Sequence, residues 1–97
     1  MDARVLDILR GVEDPELGLS VVDLGLVYAA ERGGDRIAVK MTATSRSCPS
    51  SEYLLEEARE RLARAFPEII SLEVELVWSP AWTPERVSAA GRAELGI

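Results

Sequence analysis

The chain of 97 residues is long enough for one small domain, residues 1–97, with one modest core, and its 47% hydrophobic and 29% charged content is that of an ordinary globular protein. A net charge of −6, with no basic cluster interleaved with aromatics, argues against a nucleic-acid partner, which needs a basic face. No uninterrupted apolar run approaches the roughly 20 residues that cross a membrane, so no membrane partner is expected.

The first ten residues lack the basic, apolar and cleavable pattern of a secretion signal, and a single cysteine cannot form an internal disulfide. Both point to the cytoplasm. The absence of His removes the usual Cys–His pair and the commonest transition-metal ligand. Asn and Gln are also absent, and ten of the eleven basic residues are Arg. Scarcity of thermolabile amides is a thermophile tendency, although a high-GC codon bias would equally favour Arg.

In chain order, Asp2 caps a helix expected over residues 3–12, with Val5, Leu6, Ile8, Leu9 and Val12 at helical spacing. Pro15 stops it by disfavouring the helical conformation at Asp14. Asp14 and Glu16 read as turn chemistry or as carboxylates near a site. Asp23, the one charge in an apolar stretch from Ser20 to Tyr28, forms a side-chain turn or takes partners from the hydroxyls of the cysteine loop. A strand from Leu26 to Glu31 turns at Gly33-Gly34-Asp35 into a strictly alternating strand, Arg36–Thr42, with Ile37, Val39 and Met41 on one face.

That strand runs into Met41-Thr42-Ala43-Thr44-Ser45-Arg46-Ser47-Cys48-Pro49, which holds the only cysteine. Pro49 suits the first position of a helix, which places Cys48 at its N-cap among small hydroxyl residues. A thiolate there is stabilised by the positive end of the helix dipole. The helix is expected from Pro49 to about Ala65, burying Leu55, Ala58, Leu62 and Phe66, with Leu54 and Ala65 at the margin. Glu57–Arg61 and Glu60–Arg64 are spaced as i,i+4 pairs.

A third strand is expected from Ser71 to Trp78. A stiff corner with two prolines and Trp82 follows, then a helix over 84–95 capped by Thr83. Trp82 reads equally as packing over a core edge or as a half-exposed anchor for a partner. The order α-β-β-α-β-α gives a two-layer α+β sandwich. Its small mixed sheet has three strands, and the helical crossover makes the second and third parallel.

Asp14-Pro15-Glu16, Val22-Asp23-Leu24-Gly25-Leu26-Val27-Tyr28, Met41-Thr42-Ala43-Thr44 leading to Cys48-Pro49, and Val77 to Glu85 together resemble the iron–sulfur cluster assembly domain family. Its members include SufT, the PaaD-type proteins and the eukaryotic cytosolic iron–sulfur targeting factors. The resemblance implies a fold like the alpha-lytic protease prodomain and an accessory role in iron–sulfur protein maturation rather than a stand-alone enzyme. It implies that Cys48 is the functional thiol and a transient metal ligand. Asp14, Glu16, Asp23, Thr42, Thr44 and Ser45 fall on the family's acidic and hydroxyl positions. The chain departs from the family at Ala43, at Ser45-Arg46, at Ser79 and at Ala81. It lacks the C-terminal cysteine-rich segment usual in PaaD-type proteins, which favours the SufT-like reading over support of a phenylacetyl-CoA oxygenase.

Iron–sulfur clusters ordinarily take about four protein ligands, so one thiolate implies transient holding rather than a stably bound cluster. A homodimer would supply two copies of Cys48; the remaining ligands would come from carboxylates, small thiols or a client, and the expected partners are the iron–sulfur assembly machinery or client apoproteins. The alternative, a nucleophilic or redox cysteine enzyme, would need Asp14, Glu16 or Asp23 as base, and a carboxylate disfavours a neighbouring thiolate.

Overall fold

Apolar residues at every second position force one face of a strand inward, and Arg36–Met41 shows this as strict alternation: Ile37, Val39 and Met41 are buried while Arg36, Ala38 and Lys40 are exposed. In the computed structural model, which describes residues 1–44 and 50–96, this strand, β2, is the centre of a three-stranded sheet. On one side lies β1 (Val27–Gly33), antiparallel; on the other lies β3 (Ser71–Leu76), parallel. Gly34, at φ +61, makes the hairpin turn between β1 and β2.

Two helices cover one face of the sheet, α1 (Ala3–Leu9) and α2 (Ser50–Ala65), while Glu31, Glu73 and Glu75 stand exposed among the strands. A single 3-10 turn (Pro84–Arg86) and α3 (Ala89–Leu95) complete the chain. The element order, the mixed sheet and the parallel crossover are those expected from the sequence. Among the described residues no helix is long and apolar enough to cross a membrane.

The buried stripe of α2 is Leu54, Ala58 and Leu62, continued by Phe66 just past its end, an unbroken i,i+4 row. Leu54 is therefore central and Leu55 marginal, the reverse of the expectation. Each of these larger side chains contributes about 1.5–3 kcal/mol by leaving water. Phe66 also carries the Arg4 and Arg32 guanidinium groups at 5.0 and 4.9 Å from its ring centre. Glu57 and Arg61 form the expected pair at 2.8 Å. Arg64 pairs with neither Glu60 nor any other acid among the described residues, and Glu56 instead meets Arg59 at 2.7 Å.

Strand β1 runs Val27–Gly33 rather than from Leu26 to Glu31, β2 ends at Met41 rather than Thr42, and three larger departures from the expected boundaries follow. Helix α1 stops at Leu9, and Val12 joins a small ladder in which the Val21 N–H donates to its carbonyl at 2.9 Å. Strand β3 ends at Leu76, before Trp78. The last helix is split. Thr83 makes no side-chain cap bond, Val87 is extended so that its side chain reaches the core, and Ser88 is the true cap, its Oγ accepting the Gly91 N–H at 3.0 Å. Ser88→Ala is expected to cost about 0.5–2 kcal/mol, read as a lower urea midpoint at unchanged slope.

Candidate functional site

The carboxyl end of β2 is where the sheet delivers the chain to the cysteine-bearing segment. Thr42 continues the ladder, donating its N–H to the Leu26 carbonyl at 2.8 Å, while the Val77 N–H donates to Met41 at 2.8 Å on the other side. Leu26 in turn donates to Val21 at 2.9 Å, and Val21 donates to Val12. These successive backbone bonds bring the turns around Asp14 and Asp23, the strand end at Thr42 and the start of the Trp78–Trp82 corner to one end of the sheet. Ser45 and Cys48, with Arg46, Ser47 and Pro49, lie outside the described residues.

Asp14 is buried, 2% exposed, and its Oδ1 accepts the N–H groups of Glu16 and Leu17 at 2.8 and 3.1 Å. That is a side-chain-closed turn, and the bridge between Glu13 and Ser20 clamps its ends. Glu16 sits on the exposed outer side of this turn.

Asp23 does not turn to the threonine hydroxyls. Its Oδ1 accepts the Ser88 hydroxyl at 3.1 Å and lies 3.9 Å from the Arg10 guanidinium, while its carbonyl accepts the Ser88 N–H at 2.7 Å. Gly91 is seated directly over that carbonyl; a Cβ there would stand 3.2 Å from it and 2.8 Å from Val87. Gly25, at φ +74, faces the Arg86 backbone so closely that a Cβ would collide with its carbonyl oxygen. The Asp23–Gly25 turn is thus the seat of the C-terminal segment.

Trp82 belongs to the same seat. Its Nε1 donates to the Leu24 carbonyl at 2.7 Å and its ring packs half-buried on the core, so both readings of this residue keep a physical basis: an anchored indole with one side still reachable. Tyr28, at a bulge where the β1–β2 register shifts, donates its hydroxyl to the Pro80 carbonyl at 2.8 Å and carries Arg86 4.7 Å above its ring. Sequence reasoning missed Ser88, Tyr28 and Arg10 as supports. Ser88 alone had a local signal, a good capping residue directly before Ala-Ala.

Thr42 is the exception to satisfied polarity. It is 1% exposed, and its Oγ1 is the buried side-chain polar atom without a partner among the described residues. Such a group costs about 1–3 kcal/mol, which calls for a compensating role. Thr42→Val, which keeps the shape and removes the hydroxyl, is expected to raise stability by about 1 kcal/mol in urea titration. Thr44, next but one, is half-buried, and Ala43 between them is buried. Among the described residues no three Asp, Glu, Cys or His side chains group to hold a metal ion.

Residues 2–76 match the sequence pattern of the family described as iron-sulfur cluster assembly protein. The chain is 38% identical over 95 residues to the Fe-S protein maturation auxiliary factor YitW of Bacillus subtilis, covering 97% of this chain and 92% of that one. It is 40% identical over 87 residues to the Fe-S protein maturation auxiliary factor SufT of Staphylococcus aureus, covering 89% and 98%. It also matches the iron-sulfur cluster carrier protein of Synechocystis sp. at 30% identity, spanning 95% of this chain but 25% of the carrier. The crystal structure of a domain of unknown function from Bacillus anthracis superposes with a TM-score of 0.91 at 36% identity, covering 97% of this chain and 90% of that one.

Proposed function

Since the chain belongs to the iron–sulfur cluster assembly protein family, we propose that it acts as an auxiliary factor in the maturation of iron–sulfur proteins, with Cys48 as a transient ligand or client-docking thiol. The observation that carries this reading is the near end-to-end match to two maturation factors of about the same length. Two features of the molecule support it. The segment holding Cys48 leaves the carboxyl end of the central strand, where open sheets commonly present their ligand sites. Next to it in sequence, the Thr42 hydroxyl is kept buried and, among the described residues, unpartnered at a cost in stability.

The cluster is cargo in this scheme. Cys48 supplies one thiolate, and the other ligands come from the client or from a second copy of the chain. Hand-over replaces one iron–Cys48 bond by one iron–thiolate bond to the client; the client thiol releases its proton to solvent, and no electron moves. Trp82, fixed by its indole N–H yet partly open, serves as a contact for the client or for the assembly machinery. Asp14 and Asp23 act by shaping the turns on which this end of the sheet rests. The place of action proposed is the cytoplasm. Support of a single phenylacetyl-CoA oxygenase is the weaker reading, because the relatives matched along nearly their whole length carry the general maturation name.

The test is client maturation in an anaerobic assay containing a cluster source and an apo-client that needs a cluster for activity. Addition of the chain is expected to raise the rate or yield of active client. Equal maturation with and without it, across several clients, would overturn the reading.

A further inference from the structure

We propose that the cleft between α1 and α2 binds a small organic oxyanion, a carboxylate or a phosphate, independently of the cysteine site. The cleft has a volume of about 330 Å³ and is lined by Asp7, Ile8 and Gly11 from the first helix and its end, and by Arg61, Arg64 and Ala65 from the second. That volume falls within the ordinary range of small-molecule sites, about 300–1,000 Å³. Ile8 and Ala65 give it an apolar floor.

The charges are what assign the ligand class. Asp7 is shared with Arg10 at 3.7 Å, and Arg61 is held by Glu57 at 2.8 Å. Arg64 has no ion pair among the described residues, so the cleft keeps one uncompensated guanidinium. Arg61 and Arg64 both place cations beside the last turns of α2, as the helix dipole favours. The free fork of Arg64 matches the paired oxygens of a carboxylate or phosphate. Gly11 lets the pair approach the turn: a Cβ there would lie 2.6 Å from the Arg61 Nη1. The 14 residue steps from Ser50 to Arg64 put the cleft about 20 Å along α2 from its start, so the two sites can be tested apart.

The experiment is a backbone NMR titration of the full chain with sodium phosphate and, separately, sodium succinate, with sodium chloride at matched ionic strength as the control. Saturable shifts are expected at the amides of residues 8–11 and 61–65, with affinity falling at least tenfold in Arg64→Gln. The exposed position of Arg64 leaves that variant folded, which its circular dichroism spectrum checks. Because the chain carries a net charge of −6, general attraction of anions does not mimic this result. Saturation by only one of the two salts also supports the proposal and identifies the preferred oxyanion. Shifts reproduced by chloride, shifts that do not saturate, or wild-type affinity in Arg64→Gln would overturn it, as would binding of an acidic peptide with neither salt bound.

Discussion

Cys48→Ala is expected to leave the melting temperature within about 2 °C of the parent chain and to reduce client maturation to the level seen with no factor added. The physical basis is the division of labour in the molecule. The core is built from Val5, Leu9, Leu24, Leu26, Ile37, Val39, Met41, Leu54, Leu62 and Phe66, none of which depends on sulfur chemistry. The chain has one thiol, so no other residue can replace it as a thiolate ligand. Cys48→Ser separates ligation from space-filling, since an oxygen of similar size is a far poorer ligand for the soft metal site than a thiolate. Full client activity in Cys48→Ala would remove the thiol from the mechanism while leaving family membership untouched. A large fall in melting temperature would instead assign the cysteine the role of a small packed hydrophobe.

Gly25→Ala carries the largest stability effect expected, about 3 kcal/mol or more. Two costs coincide there. The backbone at φ +74 is unfavourable for a residue with a Cβ by about 1–2 kcal/mol. The new Cβ would also overlap the Arg86 carbonyl oxygen and lie 2.7 Å from the Arg86 Cβ, so the C-terminal segment must move. Movement there loosens the Trp82–Leu24 and Ser88–Asp23 bonds together. A domain of this size loses roughly 4–8 °C per kcal/mol, so the midpoint should fall by more than about 10 °C. The control is Gly34→Ala: its φ is +61 but nothing lies within 4 Å of the new Cβ, so only the backbone cost applies. Thermal melts of the two variants, with Trp emission as a second probe, distinguish undocking from simple turn strain. Equal losses in the two would refute the close-approach account.

Much of the architecture was legible in the sequence because its signals are local and periodic. Alternation fixed the inward face of β2, Gly34 the hairpin, and Asp2 the start of α1, where its Oδ1 accepts the Val5 N–H at 3.0 Å. The C-terminal third was less legible because its cues compete. Thr83-Pro84 is a sound start signal, yet one buried side chain, Val87, demands an extended residue immediately after it, and tertiary packing overrides the helical expectation. The partners of Asp23 were illegible for a different reason: Ser88 lies 65 residues away, and no pattern in a single sequence pairs them. Asp14 was readable as a turn residue from its Asp-Pro-Glu setting, and its side chain makes the bonds such a turn requires. Gly91, which spacing alone marks as a weak point of a helix, is there for contact with a carbonyl.

The parallel pairing of β2 with β3 bears on assembly during translation. The β1–β2 hairpin closes over two residues, but β3 can join only after the whole crossover helix has been made and laid across the sheet. Cys48 therefore leaves the ribosome before β3 and the tryptophan corner have been made. A nascent chain thus carries its one thiol on a sheet that still lacks its third strand, until residues 71–91 arrive to close the fold.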